Sequence, residues 1–218
     1  GVEGNGQSEL ISIITGNMKA LEGKVSLDGK DITHESVTHI RQIGMAHVPE
    51  DRMEDGCAPD MTVQENLTVS NIDTFANKFG MIEKTKIKAH CHDQIKEFMV
   101  KTKDENQPIR SLSGGNIQKV IVAREFKAPG DLLVLNQPTR GVDVGAISFI
   151  HSKILEMRSH EKAILLVSAD LNELISLSDR ILVMHKGKVV ASLSNSPKVT
   201  EQELGLYMLG LKKQEGLG

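Results

Sequence analysis

The stretch Leu112-Ser113-Gly114-Gly115-Asn116-Ile117-Gln118-Lys119-Val120-Ile121-Val122-Ala123-Arg124-Glu125 decides how the rest of the chain is read. After Leu112 come short polar residues and a pair of glycines, which leave backbone N–H groups exposed. From Ile117 onward the apolar positions Ile117, Val120, Ile121 and Ala123 follow a helical period. A loop of exposed N–H donors that opens a helix is a nest for a phosphate-sized anion, because both the donors and the helix dipole favour negative charge.

Downstream of this loop, Asp131 to Leu135 ends a short run of the kind that makes a buried parallel strand. It leads into Asn136-Gln137-Pro138-Thr139, and polar residues at the C-terminal end of such a strand usually form the site. Arg140-Gly141-Val142-Asp143 follows, and then Ile147, Ile150, Ile154 and Met157 line one face of a helix. Ala163 to Val167 is a further buried strand, followed by Ser168-Ala169-Asp170-Leu171.

Upstream, Gly1-Val2-Glu3-Gly4-Asn5-Gly6-Gln7-Ser8 keeps the spacing G-x-x-x-x-G-K-[ST] of a phosphate-binding loop, with Gln7 where the lysine belongs. Glu9 comes next, and Leu10, Ile11, Ile13 and Ile14 then give an apolar helix face that ends at Gly16. Such a loop needs a buried strand in front of it, so further strands are expected ahead of Gly1.

Three other regions complete the pattern. Gly23 to Ile32 alternates around Asp28-Gly29 and reads as a hairpin, as do Ile181 to Met184 and Lys188 to Ala191 around Lys186-Gly187. Ile43 to Val48 is a strand candidate stopped by Pro49 and followed by Glu50-Asp51-Arg52. From Met61 to about Arg110 the pattern is helical: Thr62-Val63-Gln64-Glu65 is a capping box, and Lys84 to Val100 forms a longer helix. Inside that helix His90, Cys91 and His92 are adjacent, point in different directions, and are expected to be solvated or half-buried and not a zinc site. Thr200-Glu201-Gln202-Glu203 caps a final helix to Leu209-Gly210, and the tail after Lys212 is expected to fray.

The composition is that of an ordinary globular chain. Its 218 residues are enough for one sizeable core or for a domain with a smaller inserted lobe. With 26 Lys and Arg against 29 Asp and Glu there is no basic footprint, so nucleic acid is not expected as a partner. Cys57 and Cys91 are the only cysteines and stand far apart, which fits two thiols in a reducing compartment. No apolar run approaches the roughly 18 residues that span a bilayer, so a membrane would be met through a partner.

The spelling Leu112-Ser113-Gly114-Gly115-Asn116 with Gln118-Lys119 resembles the signature loop of ABC-transporter ATPases. The resemblance covers nearly the whole chain. It implies an α/β fold: a P-loop NTPase-type (RecA-like) core with a mostly parallel sheet, a small antiparallel β layer and an inserted helical subdomain. On that basis residues 1–218 are one ATP-binding domain, with the helical part at about 61–110 inserted between 1–60 and 111–218 and contacting a membrane subunit. The part expected before Gly1 would carry the aromatic residue that stacks on adenine.

The same resemblance implies ATP and Mg²⁺ as ligands. Gly1, Gly4, Asn5, Gly6, Gln7, Ser8 and Glu9 take the nucleotide-binding positions, and Leu112, Ser113, Gly114, Gly115, Asn116 and Gln118 the signature loop. Ser8 and Glu50 are the candidate Mg²⁺ ligands, Glu50 standing where the family commonly has glutamine. Asn136 and Gln137 occupy the positions of the family's metal-orienting Asp and water-polarising Glu, Ala169 that of its γ-phosphate histidine, and Asp143 belongs to the D-loop. Four groups that act on one nucleotide are therefore missing. Neither amide accepts a proton from water at neutral pH.

In ABC dimers each ATP lies between the phosphate loop of one domain and the signature loop of the other. One domain can thus lose its own site and still serve its partner's. The phosphate loop, Pro49-Glu50-Asp51-Arg52 and Gln137-Pro138-Thr139-Arg140-Gly141-Val142-Asp143 look most like the C-terminal, degenerate ATPase half of importers for simple sugars and nucleosides, and Gln202 to Gly210 leans toward the nucleoside branch. The implied partners are a second ABC ATPase domain, transmembrane permease subunits and, indirectly, a solute-binding protein, at the cytoplasmic face of the membrane. The alternatives are a soluble ABC-type ATPase outside transport, or a non-hydrolysing structural or regulatory domain.

Overall fold

The computed structural model describes residues 4–214, so Gly1, first of the expected phosphate-loop residues, lies outside the described residues. The chain divides into two compact bodies, residues 1–45 with 165–218 and residues 46–164.

In the first body, α1 (Gln7–Ile14) begins directly after Gly6 and buries Ile11. The expected hairpin is present as β1 (Ser26–Leu27) and β2 (Lys30–Asp31), paired antiparallel. Helix α2 (Val37–Ile43) is capped by the Ser36 hydroxyl, which accepts from the His39 N–H. Ile43, expected in a strand, instead closes this helix, because Gly44 (φ 121°) stops the turn and the strand starts one residue later. At the other end of the chain, β6 (Arg180–His185) and β7 (Lys188–Ser194) form the second expected hairpin.

That hairpin supplies the body's core. Ile181, Val183, Val190 and Ala191 pack with Val199, Leu204 and Tyr207, the last two from α8 (Glu201–Met208). Leu171 and Leu174 of α7 (Leu171–Leu177) lie against the same cluster. The tail is not frayed directly after Lys212: the Gln214 N–H donates to Val190 O (2.9 Å) and its Oε1 accepts from the Ser192 N–H (2.8 Å). Backbone groups of β7 that the hairpin leaves to its outer edge supply partners that a local reading of the tail could not include.

The second body carries most of the sheet. Strands β3 (Met45–Val48), β4 (Leu132–Asn136) and β5 (Ala163–Val167) are adjacent in that order and parallel. Intervening helices make the crossovers that parallel neighbours require. After β3 the chain makes a π-helical turn, Arg52–Gly56, capped by the Asp51 carboxylate, which accepts from the Met53 and Glu54 N–H groups. Those two bonds hold the Asp51 carboxyl below its usual range.

Helix α3 (Val63–Thr68) opens on the expected capping box, Thr62 with Glu65. A 3₁₀ segment, Val69–Phe75, leads toward α4 (Lys84–Glu97). This helix ends three residues before Val100 because the backbone turns out of it, with Met99 at φ 49° and Phe98 and Val100 inserted into the core. The His90-Cys91-His92 triplet divides accordingly. His90 is half-buried edge-on to Phe75, His92 is exposed, and Cys91 is fully buried, a departure from the solvated or half-buried expectation. Burial pushes the Cys91 thiol up to about 12, so it is not a thiolate near neutral pH. Both cysteines are free.

Helix α5 (Gly114–Phe126) is the axis of this body. It is buried along most of its length and packs against α3 and α6 (Val144–Ser159). Ile117, Val120, Ile121 and Ala123 are buried as the period predicts, and so are Val122 and Glu125. A helix buried almost all round is a central element and not a surface one.

Candidate functional site

The signature residues open α5. Ser113 caps the helix with extended backbone, and its Oγ accepts from the Asn116 N–H (3.4 Å) and from Asn116 Nδ2 (2.8 Å). The Asn116 side-chain oxygen in turn accepts from the Lys101 N–H at 2.8 Å. With both acceptor positions of its oxygen engaged, the exposed Ser113 hydroxyl keeps its proton to donate. An anion at this helix start would meet that O–H together with the first free N–H groups of α5. Leu112 is half-buried beneath the loop and Gln118 is buried one turn in, so both support it from below.

Arg140-Gly141-Val142-Asp143, the loop that the resemblance makes the D-loop, lies directly against this start. Asp143 caps α6, its Oδ1 accepting from the Ala146 N–H at 3.0 Å. A Cβ added at Gly115 would stand 2.7 Å from Asp143 Oδ2 and 3.2 Å from Ala146 Cβ, so the second glycine of the signature is fixed by close approach. Arg52 joins the two loops: one terminal nitrogen donates to Gly141 O (3.1 Å) and the other to Gly114 O (3.5 Å). Gly141 has φ 64°, left-handed backbone that favours glycine, and a Cβ there would stand 2.8 Å from the Arg52 guanidinium and press on it.

At the end of β4, Asn136 is buried and Gln137 is half-buried. Gln137 takes φ 53°, and its carbonyl accepts from the Arg140 N–H (3.0 Å), closing a tight turn. Left-handed backbone at a residue other than glycine costs about 1–3 kcal/mol and persists only where the surrounding structure holds it. Glu50 forms an ion pair with Arg140, so this candidate metal ligand already has a cationic partner. Among the described residues no group of three or more His, Cys, Asp or Glu is arranged to hold a metal ion.

In the first body, the described part of the phosphate loop is tied to a hairpin turn. Asn5 Oδ1 accepts from the Lys186 N–H (2.7 Å), and Asn5 O accepts from the Gly187 N–H (3.0 Å). The Gln7 side chain folds back: its Oε1 accepts from the Asn5 N–H at 3.1 Å. A backbone N–H of this glycine-rich loop is thus engaged by the neutral side chain that stands at the expected lysine position. Gly4 and Gly6 are left-handed (φ 83° and 99°), while Ser8 and Glu9 are exposed on the first turn of α1. Ala169, exposed, lies just before Asp170, whose carboxylate caps α7.

Sequence reasoning assigned no role to Arg52 or to the Arg124-Glu125 pair. Arg52 was legible only as part of Pro49-Glu50-Asp51-Arg52, and its carbonyl partners lie 62 and 89 positions away. Arg124 and Glu125 are buried, with side chains 9% and 1% exposed, and Arg124 Nε lies 2.7 Å from Glu125 Oε1. Arg124 also donates to Gly56 O (2.8 Å) and Asn66 O (3.4 Å), and Glu125 Oε2 accepts from the His47 N–H (3.2 Å). The signal that could have exposed them is an acid–base pair inside an otherwise apolar run.

Residues 1–140 match the family model described as ABC transporter. The nucleoside import ATP-binding protein NupA of Lactococcus lactis is 42% identical over 211 residues, covering 96% of this chain and 42% of the relative. The ribose import ATP-binding protein RbsA of Clostridium perfringens is 37% identical over 211 residues, covering 97% of this chain and 42% of the relative. The chain thus spans about two fifths of the length of these curated relatives. In fold it is similar to a nucleotide-free ATP-binding cassette from an ABC transporter, with a TM-score of 0.75 and 24% identity over 99% of this chain and 83% of that one. A capped glycine loop opening a buried helix on a P-loop NTPase fold, and a family match over 140 of 218 residues, lead to one conclusion: the chain belongs to the ABC transporter family as an ATP-binding domain.

Proposed function

We propose that this chain, taken as a single domain over 1–218 with its helical subdomain at about 61–110, is one ATP-binding half of the ATPase of a bacterial ABC importer for simple sugars or nucleosides. Its own phosphate site is degenerate, and its signature loop completes the hydrolytic site of a second ABC ATPase domain, either the N-terminal half of the same polypeptide or a dimer partner. One contrast carries the reading: Gln7 takes up a donor of its own phosphate loop, while the Ser113 O–H stays available at the start of α5. The names of the relatives support the solute class.

The proposed assembly also contains permease subunits and, indirectly, a solute-binding protein, with this chain peripheral on the cytoplasmic face. Among the described residues no helix is long and apolar enough to cross a membrane. The helical segment exposes Val69, Ile72, Phe79, Met81 and Ile82, a concentration of apolar side chains that supports a protein contact there.

ATP fits what is present: the described loop residues Gly4 to Ser8 and the first turn of α1 suit phosphate oxygens. Mg²⁺ fits less well. Ser8 offers a hydroxyl, whereas Glu50 would have to leave Arg140, and Asn136 and Gln137 bring no carboxylate. Any Mg²⁺ here would rely on the nucleotide's own oxygens and on water.

The test is steady-state ATP turnover by this chain without a partner domain. Loss of a general base lowers rate on the order of 10²–10⁴-fold, so turnover at that level below an intact ABC ATPase is expected. Turnover equal to an intact ABC ATPase would contradict the degenerate-site reading.

A further inference from the structure

Arg52 touches both loops expected to face a partner's nucleotide. It extends from the π-helical turn that follows β3 and spans two backbone carbonyls, Gly141 O of the D-loop and Gly114 O of the signature loop, at 3.1 and 3.5 Å. The surroundings are shaped to that fork. Gly141 is left-handed, a Cβ there would press on the guanidinium, and the N-cap carboxylate of Asp51 fixes the turn from which Arg52 departs. Two residues earlier on the same segment, Glu50 pairs with Arg140, so the strap 50–52 holds the D-loop at two points.

Resting on the reading that the signature loop serves a partner's ATP, we infer that Arg52 is a positioning residue for that reaction: its guanidinium sets the spacing between the D-loop and the signature loop, and thereby the position of the Ser113 hydroxyl. The planar guanidinium presents two separated terminal nitrogens, one to each carbonyl. A lysine ammonium has three donors, but all on one nitrogen at the end of a flexible stem, so it does not reproduce that fixed span. Loss of the bridge leaves Ser113 capped on α5 but lets the helix start shift against Asp143, and displacements of about 1 Å at a reacting centre cost on the order of 10²-fold in rate.

The experiment compares Arg52→Ala, Arg52→Lys, Ser113→Ala and the double variant Arg52→Ala/Ser113→Ala in the full-length ATPase assembled with its membrane partner, reading kcat, KM for ATP and thermal unfolding. The expected result is a fall in kcat on the order of 10²-fold for Arg52→Ala with KM nearly unchanged, no rescue by lysine, and a double variant no slower than Ser113→Ala. Wild-type kcat in Arg52→Lys overturns the inference, as does a double variant in which the two losses multiply. If Arg52→Ala does not fold, the Arg52→Lys protein carries the test. Should Ser113→Ala leave turnover intact while Arg52→Ala lowers it, the reading of the signature loop fails and the role of Arg52 through Ser113 fails with it. If Ser113→Ala abolishes turnover and Arg52→Lys does not alter it, only the inference about Arg52 is lost.

Discussion

Replacing Ser113 by alanine in the full-length ATPase is expected to lower ATP turnover by about 10²–10³-fold, the loss seen when one preorganised donor to a developing charge is removed. The expectation follows from how the hydroxyl is held. Asn116 supplies two donors to Ser113 Oγ and is itself fixed by the Lys101 N–H, so the serine O–H is directed by the loop before any nucleotide arrives. Removing it also takes away the α5 cap, at about 1 kcal/mol of stability, too little to unfold a domain of this size. Steady-state turnover measured beside thermal unfolding separates the two effects. A Ser113→Ala protein that turns over within a few-fold of the unaltered one would remove the catalytic role from the loop.

The largest stability effect is expected at Glu125. The carboxylate is 1% exposed and is held by Arg124 and by the His47 N–H, so Glu125→Ala strands a buried guanidinium and leaves that N–H without this acceptor. Breaking a buried pair from one side costs about 3–5 kcal/mol, which for a chain of this size lowers Tm on the order of 10 °C. Replacing both members, Arg124→Met with Glu125→Leu, is expected to be milder than Glu125→Ala alone, because no charge is then left unpaired in the interior. Thermal unfolding of the three proteins checks this order. A Glu125→Ala loss below about 1 kcal/mol would mean that water reaches the site.

These two sites differ in how far the sequence disclosed them. The start of α5 was readable because each of its signals is local: short polar residues, a glycine pair, and apolar residues at helical spacing all lie within ten positions. The capping box at Thr62 and Glu65 and the hairpins at Asp28-Gly29 and Lys186-Gly187 were readable for the same reason. The Arg124-Glu125 pair was not, since helical periodicity assigns charged positions to a solvated face and only the close approach of Gly56 and Asn66 reverses that. The left-handed backbone at Gln137 was equally hidden. No residue preference announces it, and it arises where a buried strand must turn sharply before the D-loop.

Composition likewise left the fate of Gln7 open. A glutamine in place of a lysine removes a charge-assisted phosphate contact worth about 1.5–3 kcal/mol, which would leave roughly 1–10% of the affinity. The structure adds that its carbonyl oxygen accepts from the Asn5 N–H, so the loop partly satisfies itself. On the proposed reading, affinity at this site is a competition between the phosphate and a side chain, and catalysis there would lack a carboxylate at both Asn136 and Gln137.

The proposed asymmetry between the two nucleotides is tested most directly by single-turnover hydrolysis in the full-length ATPase, loaded with one ATP per phosphate loop and followed by rapid quench. Conversion of about half the bound ATP in a fast phase is expected, with the other half slower on the order of 10²-fold or more. Conversion of all bound ATP in a single phase would contradict a degenerate site in this chain.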